Sequence, residues 1–201
     1  MSQPLVVVVV LTWNGREDTL ACLAALAGDT YEPLHVVVVD NGSGDGTEEA
    51  VRAAHPEVEL VSSDTNLGYA GGNNLGLERA LALGAGHVLV LNNDVEVLPG
   101  AIAALVDAAE RLPRVGAVNP TILFAEPPDH IWFAGARFDP RRGYNGRQRG
   151  YGRPDGPAFA ARAETDRACG AALLVPRGVL EEVGGFGADL FLDSEDTDWS
   201  L

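Results

Sequence analysis

The sequence has no lysine. Its 14 basic residues are all arginine, set against 29 aspartates and glutamates, for a net charge of −15 over 201 residues. That deficit argues against nucleic acid as a partner, because gripping a phosphate backbone needs a basic face. Cysteine is scarce as well. Cys22 and Cys169 lie far apart and in no metal-binding spacing, so the expectation is two reduced, buried thiols in a cytosolic protein rather than a disulfide framework. The apolar run Leu5–Leu11 has only seven residues and no basic segment before it, too short to cross a bilayer and unlike an export signal. His35, His55, His87 and His130 show no ligand spacing, so zinc is not expected. No nucleophile elbow or Cys/His arrangement supports covalent hydrolysis, and no GxGxxG follows the first strand, which excludes a nicotinamide dehydrogenase.

What is present is an ordinary globular composition, 46% apolar and 21% charged, with 24 glycines and 12 prolines. A chain of this length buries roughly 70% of its unfolded surface without staples. Strand and helix signals alternate over the first 120 residues. Strands are expected at Leu5–Thr12, Leu34–Asp40, Val58–Ser62, His87–Leu91 and Val115–Asn119. Helices are expected at Glu17–Ala27, Thr47–Ala54, Ala70–Leu83 and Pro99–Arg111. Continuous β-branched runs such as Val6–Val10 suit strands buried on both faces, and the alternation predicts an α/β sandwich around a mostly parallel sheet. Ligands in such sheets bind beyond the carboxyl ends of the strands. Thr12-Trp13-Asn14, Asp40-Asn41-Gly42-Ser43 and Asn92-Asn93-Asp94 all fall there.

Composition changes after residue 120. Between Arg137 and Arg167 lie eight of the fourteen arginines (137, 141, 142, 147, 149, 153, 162 and 167) and four acids, so this stretch is +4 and the remainder −19. It reads as an excursion laid over a sheet edge, either gripping an anion or merely balancing an acidic protein. A strand at Ala171–Val175 and a short helix at Pro176–Val183 follow. Asp193-Ser194-Glu195-Asp196-Thr197-Asp198 then opens a last helix, and the end at Leu201, within its first turns, leads us to expect a C-terminally truncated chain.

Each motif has a bland and a chemical reading. Asp40, at a strand end before small residues, can accept from a pyrimidine N3–H, or it can simply hold a turn whose Asp45 caps the next helix. The Asn66–Gly76 segment can offer helix N-terminal amides to a nucleotide, or it can let a helix pack tightly on the sheet. Asp94 suits a hard divalent cation shared with a diphosphate, or a local cap. The 193–198 acids can supply a general base, or favour a helix start with Ser194 as cap.

In this order the motifs resemble the family 2 glycosyltransferases, among them bacterial rhamnosyltransferase-like members. The matching segments are Val6–Asn14 (VVVVVLTWN), Val36–Thr47 (VVVVDNGSGDGT), Asn66–Gly76 (NLGYAGGNNLG), Val88–Val95 (VLVLNNDV), Cys169–Pro176 (CGAALLVP), Gly184–Phe186 (GGF) and Phe191–Trp199 (FLDSEDTDW). The resemblance implies one GT-A domain, a three-layer sandwich with residues 1–120 as its nucleotide-binding half and 121–201 as an acceptor-side half. It implies inverting transfer of a sugar from a TDP- or UDP-sugar, TDP-rhamnose first among them, to a glycan or lipid-linked hydroxyl, with Mg²⁺ or Mn²⁺ as cofactor. The setting would be cell-surface glycan assembly in the cytoplasm, with peripheral association at the membrane face compatible with it. By position, Asp40, Thr12 and Asn14 would line the nucleoside pocket, with Gly68 and Asn73 near base and ribose. Asn92-Asn93-Asp94 stands where the family has its Asp-x-Asp element, so Asn92 and Asn93 would contact the nucleotide and Asp94 would hold the metal, and Asp196 would be the base with Glu195 assisting. The rivals are a non-catalytic nucleotide-sugar-binding fragment and a sugar-nucleotide pyrophosphorylase. The Thr12–Arg16 turn lacks the latter's Gly-rich basic loop.

Overall fold

The computed structural model describes residues 3–139, 141, 147–192 and 194–201; Arg142 and Asp193 of the motifs above lie outside the described residues. Strands β1 (Val6–Thr12), β2 (Leu34–Asp40), β3 (Glu59–Ser62), β4 (His87–Asn92) and β9 (Ala172–Pro176) form one sheet in the order β3-β2-β1-β4-β9. The first four run parallel, and β9 pairs antiparallel with β4, Ala172 opposite Leu91. The chain thus reverses its direction of growth between β1 and β4, the place where an open α/β sheet forms a crevice at its carboxyl edge.

The valine run explains why β1 is central. Val6, Val8 and Val10 point into a core with helices α1 (Arg16–Ala27), α2 (Thr47–Ala54) and α4 (Ala101–Arg111). Val7 and Val9 point the other way, toward α3 (Gly68–Ala82) and α5 (Arg177–Val183), with Phe186 and Trp199. All five valines are fully buried. Helices on both faces make the three-layer sandwich that such a strand requires.

α3 lies against the sheet because its glycines permit it. A Cβ on Gly76 would sit 2.2 Å from Val9 Cγ1, and one on Gly72 would sit 2.5 Å from Leu11 Cδ1. The expected strand at 115–119 is the main departure. Only Val118 pairs, antiparallel with Leu174. Pro120 has no N–H to extend the ladder, and the Asn119 side chain instead donates to the Cys169 and Ala172 carbonyls and accepts from the Cys169 N–H.

Two small antiparallel pairs follow residue 120: β5 (Ile122–Leu123) with β6 (Ile131–Phe133) before the arginine-rich excursion, and β7 (Ala136–Arg137) with β8 (Arg147–Gln148) at its start. Arg137 pairs with Asp166 at 2.7 Å and Arg162 with Asp107 at 2.9 Å. Arg149 and Arg153 lie over Phe159, and Arg167 over Phe133. These five cations are committed to internal contacts. Among the described residues no helix is long and apolar enough to cross a membrane.

Candidate active site

The ends of β1 and β2 are side by side, Thr12 opposite Asp40, and both residues are buried. Asp40 Oδ1 accepts the Ser43 N–H at 3.0 Å, which folds the chain into a turn right after the strand. Asn14, in left-handed backbone at φ 52, accepts from the Gly44 N–H through its side chain and donates its own N–H to Ser43 Oγ. Asparagine tolerates that conformation better than other side-chain-bearing residues. Thr12, Asn14 and Asp40 are therefore gathered at one point of the sheet edge by two laced loops. Asp45 bridges the same loops: it accepts from the Arg16 N–H, the Thr47 N–H and the Thr47 hydroxyl, and these bonds, the hydroxyl's foremost, hold its carboxyl below the usual range. An open cavity of about 660 Å³ lies beside them, lined by Arg16, Ser43, Gly44, Gly46 and Glu49. Sequence reasoning had not singled out Arg16 as a site residue.

The Asn-rich segment at the start of α3 is turned inward. Gly68 (φ 74) donates its N–H to Asn66 Oδ1 and accepts from Asn41 Nδ2, while the Tyr69 N–H donates to the Phe191 carbonyl at 2.7 Å. Gly68 is also pressed against Phe191, whose carbonyl oxygen a Cβ would approach to 2.3 Å. Asn73 is fully buried and donates to the Tyr69 carbonyl. Asn74 grips the backbone of Phe186 twice, donating to its carbonyl and accepting from its N–H, each at 2.8 Å. These bonds tie the start of α3 to the 186–191 segment.

At the end of β4 the three residues diverge. Asn92 closes the strand, and its N–H donates to the Ala171 carbonyl at 3.0 Å. Asn93 turns back into the fold, donating to Thr19 Oγ1 at 3.1 Å and more weakly to Gly15 O and Thr12 Oγ1. Asp94 alone is exposed. Burial, with a smaller contribution from the Asp94 charge, pushes the Cys22 thiol up to about 12. Among the described residues no group of three or more His, Cys, Asp or Glu could hold a metal ion. Asp94 thus offers one hard oxygen ligand at an open position. That fits Mg²⁺ or Mn²⁺ when a second anionic ligand, such as a diphosphate, shares the ion.

Glu195 and Asp196 open α6 (Glu195–Trp199). Ser194 stands before them in left-handed backbone without a side-chain capping bond, so the simple capping reading does not describe this turn. Glu195 is buried and Asp196 half-buried; Asp196 Oδ2 accepts the Gly170 N–H at 3.2 Å and Oδ1 accepts the Thr197 hydroxyl. α6 is fastened by Trp199 Nε1 to Gly184 O and by the Ala168 N–H to Ser200 Oγ. Two consecutive residues, Gly170 and Ala171, therefore tie Asp196 to the end of β4. A further apolar groove of about 600 Å³ has Asn92, Asp94, Val97, Leu98, Phe124 and Trp132 among its lining residues.

A parallel sheet reversing between β1 and β4, with polar strand ends and a trailing acidic pair, is the GT-A glycosyltransferase architecture, and comparison with known proteins agrees. Residues 7–173 match Glycosyl transferase family 2, and the chain belongs to that family. It is 35% identical over 210 aligned positions to the N-acetylglucosaminyl-diphospho-decaprenol L-rhamnosyltransferase of Mycobacterium tuberculosis, covering 95% of this chain and 67% of that protein. It is 28% identical to galactofuranosyltransferase GlfT1 of Mycolicibacterium smegmatis over 64% of this chain and 43% of the other. Among solved structures, mannosyltransferase PcManGT from Pyrobaculum calidifontis, in complex with GDP-Man and Mn²⁺, superposes with TM-score 0.64 at 26% identity, over 99% of this chain and 51% of that one. S. aureus TarS 1-349 shares the fold, at TM-score 0.66 and 18% identity over 97% of this chain and 53% of the other. The chain thus spans about two thirds of the rhamnosyltransferase and about half of the two structural relatives.

Proposed function

We propose that this protein transfers a sugar, L-rhamnose in the first instance, from a TDP- or UDP-linked donor to a lipid-linked glycan hydroxyl, with inversion at the anomeric carbon. The observation that carries the reading is the tie between β4 and α6. Asp94 and Asp196 are 102 positions apart in sequence, yet the Asn92 N–H meets Ala171 O while the Gly170 N–H meets Asp196. A candidate metal ligand and a candidate base thus belong to one edge of one sheet.

In this reading residues 1–120 take the nucleotide and residues 121–201 the acceptor. Asp40 accepts from the pyrimidine N3–H, with Thr12 and Asn14 around the nucleoside. Asn92 and Asn93 hold the β4 end, Asn93 by anchoring it to α1. Gly68 and Asn73 keep α3 close behind the nucleoside. Asp94 would hold Mg²⁺ or Mn²⁺ together with the donor diphosphate, and the ion would supply charge stabilisation to the departing nucleoside diphosphate. Asp196 takes the proton of the acceptor hydroxyl as its oxygen forms the new bond to the anomeric carbon. The bond from that carbon to the phosphate oxygen breaks, and the electron pair leaves with the diphosphate. Glu195, buried next to the base, assists in placing it. The apolar groove that Asp94 helps to line supports an acceptor with a hydrocarbon portion, in keeping with the decaprenol-linked substrate in the relative's name, and with action at the cytoplasmic face of a membrane.

The test combines binding and turnover. UDP or TDP with Mn²⁺ should raise the thermal midpoint, and a site filled at about 100 times its Kd adds ~2.7 kcal/mol. Asp196→Asn should keep that binding and lower transfer by about 10²–10⁴-fold, the usual worth of a general base. Asp94→Ala should abolish the manganese dependence. Unchanged transfer in Asp196→Asn would remove Asp196 from the chemistry, and donor binding without transfer in the parent would favour a non-catalytic binding protein.

A further inference from the structure

Gly170 is held from two directions. Its carbonyl accepts the Tyr69 hydroxyl at 2.8 Å, and its N–H donates to Asp196 Oδ2 at 3.2 Å. Tyr69 is itself fixed: its N–H donates to Phe191 O, and its ring lies 6.1 Å from Phe186, which lies 6.2 Å from Trp199 of α6. Space at the junction is closed, because a Cβ on Gly170 would sit 2.5 Å from the Tyr69 oxygen. Burial raises the Tyr69 phenol far above its ordinary range, and the Glu195 and Asp196 charges act in the same sense. The phenol is thus a constant neutral donor.

Resting on the reading of Asp196 as the base, we propose that Tyr69 is a positioning residue that sets the aim of that carboxylate through Gly170. The hydroxyl holds the Gly170 carbonyl and so the 170–171 peptide, while Asn119 Nδ2 holds the Cys169 carbonyl of the preceding peptide, the one that carries the Gly170 N–H; with both peptides held, rotation about the Gly170 Cα is restrained. That N–H restrains one carboxylate oxygen and leaves Asp196 a single orientation toward the acceptor. Without the hydroxyl Asn119 still holds Cys169 and the Asn92 N–H still holds Ala171 O, but the restraint on Gly170 itself is lost, and its N–H can turn at the glycine Cα away from the carboxylate. Misplacement of a reacting group by about 1 Å costs on the order of 10²-fold.

Four proteins test this: the parent, Tyr69→Phe, Asp196→Asn and the double variant. The readouts are kcat, donor KM and the Gly170 amide proton by NMR. Tyr69→Phe keeps the ring and its contacts. It should lower kcat by roughly 10–100-fold, leave donor KM within about twofold, and move the Gly170 amide upfield as Asp196→Asn does. In the double variant the Tyr69 change should cost nothing further, the behaviour of residues acting through one another. A full Asp196→Asn loss with unchanged kcat or an unmoved Gly170 amide in Tyr69→Phe overturns the positioning role alone. An unchanged rate in Asp196→Asn overturns the base assignment, whatever the Tyr69 result. Gly170→Ala gives an independent arm. Its Cβ must push Gly170 away from the Tyr69 oxygen, so kcat should fall in the parent and much less in Tyr69→Phe, whereas equal falls in both overturn the proposal.

Discussion

Replacing Asn74 with alanine should loosen the half of the molecule that carries the acidic pair. The side chain makes two hydrogen bonds to the Phe186 backbone, each at 2.8 Å. Phe186 is buried between Tyr69 and Trp199, and the Trp199 indole in turn donates to Gly184 O. A net contribution of about 1 kcal/mol per hydrogen bond gives a loss of ~2 kcal/mol. For a domain of 150–250 residues each kcal/mol moves the midpoint by about 2–4 °C, so Asn74→Ala should melt about 4–8 °C lower by scanning calorimetry. Asn74→Asp keeps the acceptor for the Phe186 N–H and loses the donor, so at neutral pH it should already show at least half of that drop. Helix α6 is fastened through the same aromatic row, so kcat should fall further than donor affinity in both variants. A midpoint within about 1 °C of the parent for Asn74→Ala would refute the claim that this clamp holds the 184–186 turn, because even one lost hydrogen bond predicts more.

Gly76→Ala places a methyl 2.2 Å from Val9 Cγ1 and 3.0 Å from Val39 Cγ2, both fully buried. Overpacking of this kind costs about 1–3 kcal/mol, so the midpoint should fall by roughly 2–12 °C; no change would mean that α3 can slide away from the sheet freely. Cys22 and Cys169 are free and buried, with thiols raised to about 12 and about 11, burial being the larger cause in each case. At pH 8 neither should take up iodoacetamide in the folded protein, and both should react in guanidinium, as read by intact mass, because the thiolate is the reactive form. Native-state labelling at either position would show that the segment around it opens.

The arginines illustrate how charge counts can mislead. Eight of them in one stretch invite an anion-binding reading, but Arg137, Arg149, Arg153, Arg162 and Arg167 are spent on carboxylates, carbonyls and aromatic faces of the same chain. Exposed pairs of this sort contribute little stability each; they organise a segment with few strands of its own. Arg16, outside that stretch, is the basic side chain that lines the open cavity beside Ser43 and Gly44.

Most of the sheet was readable along the chain. β2 and α2 fall on the expected boundaries, and β1, α1, β3, β4, α3 and α4 within two residues of them, because β-branched runs and helical periodicity are local signals that the interior of a parallel sheet reinforces. The polar strand ends were also legible, since Thr12, Asp40 and Asn92 each follow an apolar run. The amides were not. Asn41, Asn73, Asn74 and Asn93 have the same donors and acceptors and look equally suited to a nucleotide, but Asn93 bonds Thr19 across 74 positions and Asn74 bonds Phe186 across 112. An amide's partner is set by which distant backbone group folding delivers to it, and nothing in the neighbouring residues encodes that choice. The link between Gly170, Asp196 and Tyr69 is of the same kind. It exists because β9 returns antiparallel beside β4, so the segment leading into it arrives at the carboxyl edge of the sheet, where the acidic pair and the first turn of α3 also meet.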